Sequence, residues 1–231
     1  MIRDLFSALV EAFFPFRCHA CYQQTALGTV LCDACCAKVA AAVQPPFILQ
    51  DVRCEIQVYS LSDYSSFISD AVKIIKYRPS RKLAEKLVEV CLNQIDLKKL
   101  IKPDDILVPV PMHKSRLAKR GFNQAEVIAE YLVEQMGCHL SPAIVRSVAT
   151  RPQADCDEEE RLTNLDNAFK LSPGLSLPSF AGKSLTLVDD VATTGTTLQK
   201  CADALCRLEP ASVRALVISH SFRRSAASPH S

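Results

Sequence analysis

The segment that most constrains the fold of this chain is LTLVDDVATTGTTL, which begins at Leu185. Its first four residues form a mostly apolar run, which is typical of a buried strand in a parallel sheet. The run is expected to end at two adjacent acids, Asp189 and Asp190, where the edge of such a sheet opens to solvent. Small and hydroxyl residues surround Gly195, and a helix is predicted to start near Thr196. This order predicts one strand-loop-helix unit of an α/β fold.

The loop after the acidic pair has the composition of a phosphate site. Successive backbone N–H groups around Gly195 can point at one anion, and the positive N-terminus of the following helix adds to the attraction. Two carboxylates can accept hydrogen bonds from neighbouring hydroxyls and can hold a bridging Mg2+. A ligand that carries a phosphate and a vicinal diol, such as ribose 5-phosphate, therefore fits both parts. The candidate residues are Asp189 and Asp190 for the diol, and Val191, Ala192, Thr193, Thr194, Gly195, Thr196 and Thr197 for the phosphate.

The same segment resembles the fingerprint of type I phosphoribosyltransferases, in which a hydrophobic run and two acids precede a Thr-Thr-Gly-x-Thr loop. The resemblance implies that the chain binds 5-phosphoribosyl 1-pyrophosphate (PRPP) together with Mg2+. The alternative is an ordinary turn between a strand and a helix, with a threonine that caps the helix. Two other familiar phosphate loops, GxxxxGK[ST] and GxGxxG, do not occur in the sequence.

Length and composition leave room for one ordinary domain and a small module. The chain has 231 residues, of which 48% are hydrophobic and 23% are charged, so it can bury a substantial core. The net charge of +2 is small, and binding to nucleic acid would have to rest on a local patch. Residues 5–16 are apolar, but Glu11 interrupts them and they are too short to span a bilayer. We interpret them as an amphipathic docking helix, with a signal peptide as the alternative.

Eleven cysteines, an odd number in an enzyme-like sequence, indicate reduced thiols rather than a disulfide framework. Cys18 and Cys21 form one CxxC pair, and Cys32 and Cys35 form a second. Two such pairs can hold one tetrahedral Zn2+, and four thiolates leave no open position, so the predicted role of the metal is structural. Cys36 could replace one of these ligands, and buried free cysteines are the alternative to a metal site.

Two prolines, Pro45 and Pro46, divide the chain into a cysteine module, residues 1–44, and an α/β domain, residues 45–231. Apolar periodicity in the second part alternates between strand and helix patterns. The predicted strands are residues 55–61, 105–111, 143–148, 185–188 and 213–218, and the predicted helices are residues 67–77, 82–95, 123–136 and 196–208.

A basic loop is predicted directly after the strand 105–111. It carries four cations within residues 114–120, at the end of a strand where open α/β sheets bind ligands. The loop is therefore a candidate for pyrophosphate binding, with solvated surface as the alternative. Lys73 and Lys76, near the end of a predicted helix, either form a solvated face or contact the ligand. A polar loop at residues 149–160 is expected to be mobile and to close over the site. The candidates for pyrophosphate binding and closure are Lys114, Arg116, Arg120, Arg151, Gln153 and Arg161.

The chain as a whole is similar to the ComF family of late competence proteins. The similarity rests on VPVPMHKSRLAKRGFNQ, the two CxxC pairs, an RxxxTxxQ segment and the DDVATTG loop, and it covers residues 15–220. It implies a type I phosphoribosyltransferase fold, a parallel sheet flanked by helices, with an N-terminal four-cysteine module similar to a zinc ribbon. It also implies a cytoplasmic role in natural transformation and DNA uptake, with single-stranded DNA and other competence proteins as partners. Residues 154–160 depart from the family pattern by their acidity.

Two functions remain open from the sequence. In the first, the chain is a phosphoribosyltransferase in which Asp189 and Asp190 bind the ribose hydroxyls and stabilise positive charge while an acceptor replaces pyrophosphate. In the second, it is a PRPP-sensing or DNA-binding module without turnover. The residues do not identify the acceptor in the first case.

Single-stranded DNA needs cations for its phosphates and usually an aromatic ring on which a base can stack. The basic cluster at residues 114–120 includes Lys119 and lies beside Phe122 in the sequence, so it is one predicted DNA site. The other is the cysteine module near Arg17 and Lys38.

Overall fold

The computed structural model describes residues 16–49, 55–63, 67–146 and 168–220. Three predictions fall outside this part of the chain. They are the docking helix up to residue 15, the acidic loop at residues 149–160, and the closing residues Arg151, Gln153 and Arg161.

The described residues form eight strands. They are β1 (Phe47–Ile48), β2 (Gln57–Ser60), β3 (Ile106–Pro109), β4 (His139–Leu140), β5 (Ile144–Arg146), β6 (Phe169–Leu171), β7 (Ser184–Ala192) and β8 (Ser212–His220). Six of them build one sheet in the order β1-β2-β8-β7-β3-β4, in which β1 runs antiparallel to β2 and the other neighbours are parallel. The predicted parallel sheet is therefore confirmed.

Six α-helices accompany the strands in the described part of the chain. They are α1 (Asp33–Ala42), α2 (Phe67–Tyr77), α3 (Arg81–Leu92), α4 (Lys114–Arg120), α5 (Gln124–Met136) and α6 (Thr196–Cys206). Helices α1, α2, α3 and α5 share one apolar cluster, which includes Ile75, Leu83 and Leu132. Helix α6 and the β5–β6 pair share a second cluster, which includes Leu198 and Leu205. None of the described helices is long and apolar enough to cross a membrane.

The central strand β7 is buried on both faces because alternate side chains of a strand point to opposite sides. Leu187 joins the cluster of α6, and Val188 joins the other cluster. The chain passes from β3 through α5 to β4 on one side, and from β7 through α6 to β8 on the other. The direction of winding therefore reverses between β3 and β7, where open α/β sheets form their ligand crevice.

The predicted end of the central strand is wrong, because β7 continues through the acidic pair to Ala192. Asp189 pairs with Val217, and Ala192 pairs with His220, on the neighbouring strand β8. A parallel neighbour of the same length supplies backbone partners beyond the apolar run, so the strand does not have to end where the apolar side chains end.

Two further predictions around the crevice are wrong in part. The basic loop after β3 contains the helix α4, which ends at Gly121 in a left-handed conformation with φ of 78°. The predicted strand at residues 143–148 forms as β5, but it pairs antiparallel with β6 outside the main sheet. Ile144 of this strand is buried and Val145 is exposed, so the strand covers the α6 side as a two-stranded arm.

The cysteine module shares its core with the rest of the chain. Cys18, Leu31, Cys35 and Val39 are at most 2% exposed and belong to the same apolar cluster as α2 and α3. Helix α1 of the module packs against both of these helices. The domain boundary after residue 44 stays a prediction, and the contacts show that the module is packed onto the α/β part.

Candidate functional site

The acidic pair lies near the carboxyl end of β7 and is only partly exposed. The side chain of Asp190 is 16% exposed, and Nζ of Lys76, at the end of α2, lies 3.6 Å from its Oδ2. This oxygen is shielded from solvent and has no hydrogen-bond partner among the described residues. The backbone N–H of Asp190 donates to Oδ1 of Asp189 at 2.8 Å. The expectation that the pair faces open solvent is therefore wrong, and Lys76 lies at the site rather than on a solvated face.

The electrostatic surroundings of Asp189 disfavour its ionised form. Burial and the neighbouring charge of Asp190 raise the pKa of Asp189 well above its usual range. The backbone N–H of Asp190 and the charge of Lys76 lower the pKa of Asp189 but do not cancel that rise. Two carboxylates thus share one nearby lysine, and the pair keeps a negative charge when both are ionised. Such a pair can receive a cation or hydroxyl donors.

The loop after β7 takes its shape from Gly195, whose φ of 80° is a left-handed conformation that glycine adopts without strain. Gly195 caps α6, and its carbonyl accepts the N–H of Gln199 at 2.9 Å. Thr193 and Thr194 are exposed, and Oγ1 of Thr194 lies 2.9 Å from Oγ1 of Thr196. The predicted helix start at Thr196 is confirmed. The loop ends at the N-terminus of an eleven-residue helix, where free backbone N–H groups attract anions.

The basic residues after β3 lie on helix α4, whose N-terminus is capped by His113. Lys114 and Arg116 are exposed, and Arg120 donates a hydrogen bond to Oε1 of Gln124 at 2.9 Å. Strands β3 and β7 are neighbours, so α4 and the loop after β7 follow adjacent strand ends. The structure therefore brings Lys114, Arg116 and Arg120 and the predicted phosphate loop to one edge of the sheet.

Sequence reasoning did not single out Arg146, the last residue of β5. Its guanidinium lies over the ring of Phe169, 5.3 Å from the centroid. Burial and the charge of Arg116 lower the pKa of Arg146, and no described carboxylate forms an ion pair with it. Two arginine charges that repel each other are suited to bind a polyanion. The signal that could have identified Arg146 is its place at the start of the RxxxTxxQ segment.

The predicted aromatic partner of the basic cluster is not accessible. Phe122 is 6% exposed and belongs to the apolar cluster of α2, α3 and α5. Its ring anchors the connection between α4 and α5 in the core, so a nucleic-acid base cannot stack on it. The prediction of a DNA site that combines Phe122 with the cations of α4 is therefore wrong.

The four predicted metal ligands converge on one point, as the group Cys18, Cys21, Cys32 and Cys35. Their Sγ atoms all lie within 4.8 Å of one another, and those of Cys21 and Cys32 are 3.7 Å apart. A tetrahedral ion with metal–sulfur bonds of about 2.3 Å requires sulfur–sulfur distances of about 3.8 Å. Cys36 lies outside this group, and its Sγ is 4.0 Å from the carbonyl oxygen of Leu31. The cluster can therefore hold a metal ion, with the predicted four ligands.

The backbone of the cysteine cluster already favours one thiolate. Burial raises the pKa of Cys18, but backbone N–H groups of Cys32, Cys21 and Ala20 outweigh this effect and lower the pKa to about 6. Burial and the neighbouring thiols raise the pKa of Cys35. A metal ion needs all its thiol ligands deprotonated. In the metal-free protein, the lowered pKa favours a thiolate at Cys18 and the raised pKa favours a thiol at Cys35.

Comparison with known proteins identifies the family. The family model of the phosphoribosyl transferase domain matches residues 117–230. DNA utilization protein YhgH from Salmonella typhimurium (strain LT2) is 30% identical over 202 residues, which are 85% of this chain and 87% of that protein. Competence protein F from Haemophilus influenzae is 33% identical over 109 residues, 47% of each chain. This chain belongs to the ComF family. The predicted resemblance is confirmed.

This ComF family member has the type I phosphoribosyltransferase fold, with the four-cysteine cluster at its N-terminus. Among solved structures, adenine phosphoribosyltransferase from Saccharomyces cerevisiae is similar with a TM-score of 0.38 and 13% identity, covering 82% of this chain and 90% of that chain. The domain places the ComF family member in the general phosphoribosyltransferase class, with relatives named for competence and DNA utilization.

Proposed function

We propose that this ComF family member binds PRPP with Mg2+ and transfers the phosphoribosyl group to an acceptor. The observation that carries the proposal is the crevice between β3 and β7, where a partly buried acidic pair, a glycine-shaped loop and a basic helix meet at adjacent strand ends. PRPP carries three groups that match these elements. Its ribose diol suits the acidic pair, its 5-phosphate suits the loop, and its pyrophosphate suits the basic helix. Membership in the phosphoribosyltransferase class supports the same ligand.

The acidic pair and the loop bind the sugar phosphate in this proposal. Asp189 and Asp190 accept hydrogen bonds from the ribose hydroxyls, and their charge offsets the positive charge that develops on the ribose. The backbone from Ala192 to Thr196 binds the 5-phosphate. In the transfer, the bond between C1 and the pyrophosphate oxygen breaks and its electron pair leaves with pyrophosphate. A lone pair of the acceptor forms the new bond to C1, and the acceptor loses its proton to water.

The cations on the neighbouring elements bind the leaving pyrophosphate. Lys114, Arg116 and Arg120 on α4 supply positive charge from one side, and Arg146 supplies it from the β5–β6 arm. Because the pKa of Arg146 is lowered by Arg116, a pyrophosphate between them would relieve their repulsion. Arg151, Gln153 and Arg161 are proposed to close over the same group and exclude water.

The described residues fit both metal ions of the proposal. Mg2+ prefers oxygen ligands and would supply the charge that holds pyrophosphate against the ribose hydroxyls. Oδ2 of Asp190 is shielded and accepts no hydrogen bond from a described residue, and we propose that it receives the ion or one of its hydration waters. The sulfur spacing in the four-cysteine cluster fits Zn2+, which we propose as a structural ion separate from the sugar-phosphate site.

The second candidate is a PRPP-sensing module without turnover that handles single-stranded DNA together with other competence proteins. The names of its relatives, DNA utilization protein and Competence protein F, favour a partner of this kind. The fold alone does not separate it from the enzyme, because a retained pocket does not require chemistry.

Two measurements on the same preparation separate the candidates. Calorimetry measures PRPP binding in the presence of Mg2+, and a coupled assay measures pyrophosphate release with a panel of nucleobases. The enzyme binds PRPP and releases pyrophosphate faster with one acceptor than with water. Binding without acceptor-dependent release identifies the silent module, and the absence of PRPP binding overturns both.

A further inference from the structure

A surface pocket of about 340 Å3 lies between the cysteine module and the turn that joins α2 to α3. It is lined by Arg17, Cys18, His19, Tyr22, Arg78 and Pro79. None of these described lining residues is acidic, and both arginines are exposed. None of them belongs to the proposed PRPP site, so the pocket is separate from that site.

The ring of Tyr22 lies against the guanidinium of Arg78 and is still accessible. The guanidinium carbon of Arg78 lies 5.3 Å from the ring centroid, and Tyr22 is 51% exposed. Nη1 of Arg17 donates to the carbonyl oxygen of Tyr22 at 3.0 Å, which places a second cation next to this residue. The ring therefore keeps an open surface beside two positive charges.

The backbone conformation of Tyr22 does not depend on an aromatic side chain. Tyr22 has a φ of 61° and directly follows the first CxxC pair. Glycine adopts this left-handed conformation without strain, whereas a bulky side chain destabilises it. The N–H of Tyr22 donates to the carbonyl oxygen of Cys18 at 2.9 Å, so the turn is held by its backbone. A tyrosine at this position destabilises the turn relative to glycine, and its ring is exposed at the surface.

A second aromatic ring extends the same surface. Tyr77 is the last residue of α2, directly before Arg78, and is 86% exposed. Two exposed tyrosines with two exposed arginines, here called the Tyr22 surface (Arg17, Tyr22, Tyr77 and Arg78), combine stacking faces with phosphate-binding cations. Proteins bind single-stranded nucleic acid with this combination, since every base has a face that can stack and every nucleotide has a phosphate.

We propose that the Tyr22 surface binds single-stranded nucleic acid, with a base stacked on Tyr22 and phosphates contacted by Arg17 and Arg78. The proposal rests on the nucleic-acid partner named under the second candidate function and gives that partner a site. It replaces the site predicted on α4, where Phe122 is buried in the core. A duplex is not a suitable ligand, because its bases are closed in the stack.

The test measures the fluorescence anisotropy of a labelled oligothymidylate of about twelve nucleotides, within the range of sites on single-strand-binding folds. Tyr22→Asn removes the ring but tolerates the left-handed backbone, and it is expected to weaken binding at least about fivefold, since stacking contributes about that much or more. Tyr22→Phe keeps the ring and is expected to bind like the wild type. Arg78→Gln is expected to reduce the slope of log affinity against log salt by about 0.7.

Matched controls separate this surface from general charge and from the PRPP site. Arg207→Gln removes an exposed arginine after α6, on the other face of the sheet, and is expected to leave oligonucleotide binding unchanged. Lys119→Ala with Arg120→Ala, on α4, is also expected to retain it. PRPP affinity, measured on the same preparations, is expected to be unchanged in the Tyr22 and Arg78 variants. Wild-type affinity in Tyr22→Asn, equal binding of a duplex, or no binding by the wild type at low salt would overturn the proposal, whatever the PRPP result.

Discussion

Nζ of Lys76 lies 3.6 Å from Oδ2 of Asp190, and this contact joins the end of α2 to the acidic pair of β7. The two residues are far apart in the sequence, and the packing of α2 on the sheet brings them together. Lys76 also lowers the pKa of Asp189, so its charge favours the ionised form of that acid. Lys76 therefore favours the ionised form of Asp189, which is the form that the proposed function requires.

Lys76→Gln is expected to raise the pKa of Asp189 further, because the charge that opposes its rise is removed. In the proposed function the ionised pair binds the ligand, so the pH below which PRPP binding is lost should move upward. A shift of about one pH unit corresponds to about 1.4 kcal/mol. Calorimetric titrations between pH 5 and pH 8 measure it. Lys73→Gln is the control, because Lys73 pairs with the exposed Asp70 at 3.0 Å; equal shifts in both variants would contradict the role of Lys76.

Asp189→Asn is expected to stabilise the protein at neutral pH. The pKa of Asp189 is raised in the folded state, so its ionisation destabilises the fold as the pH rises from the unfolded pKa through the folded one. Asparagine removes this cost, which amounts to about 1.4 kcal/mol for each unit by which the pKa is raised. Thermal melting at pH 7 should give a higher Tm for the variant, and the difference should vanish near pH 4. A lower Tm at pH 7 would show that the charge of Asp189 stabilises the fold.

Protein purified without chelator is expected to contain about one equivalent of zinc, since structural sites with four cysteine ligands are normally filled. Cys18→Ser should lose the metal and unfold at a lower temperature, because Cys18 and Cys35 belong to the core cluster of α2 and α3. Cys36→Ser is the matched control and should keep its zinc, since Cys36 lies outside the ligand group. Metal analysis that finds less than about half an equivalent in the wild type would refute the site.

Arg146→Gln is expected to weaken PRPP binding while ribose 5-phosphate binding stays unchanged. The proposed contact is to pyrophosphate, and hydrogen bonds to charged groups contribute about 1.5–3 kcal/mol, or roughly tenfold to a hundredfold in affinity. Competition calorimetry with the two ligands separates the effects, and Arg207→Gln serves as the control. Equal losses for both ligands would mean that Arg146 acts through the packing of the β5–β6 arm against Phe169.

Local motifs explain what the sequence predicted correctly. The loop around Gly195 and the two CxxC pairs place their functional atoms within a few residues of one another, so short-range geometry determines them. The helix start at Thr196 and the four-thiol group Cys18, Cys21, Cys32 and Cys35 are found in the structure as predicted. Apolar periodicity likewise predicted α2 and α5, because each buries one face in a core cluster.

Contacts between distant segments explain most of what the sequence could not predict. The pairs Lys76 with Asp190 and Arg146 with Phe169 depend on how helices and the β5–β6 arm pack on the sheet. Periodicity also says nothing about which sheet a strand joins, so it predicted β5 as a strand but not its antiparallel pairing with β6 outside the main sheet. Helix α4 was missed because none of its residues is buried, so no apolar pattern marks it.

The most direct test of the account is the calorimetric titration of PRPP with Mg2+ into the wild type and into the double variant Asp189→Asn with Asp190→Asn. The wild type is predicted to bind one PRPP, and the double variant should lose at least about a hundredfold in affinity, since two charged hydrogen-bond acceptors are removed. Asp104→Asn, in the exposed turn before β3, is the control and should bind like the wild type. A double variant that stays folded and binds PRPP with unchanged affinity would contradict the assignment of this crevice as the PRPP site.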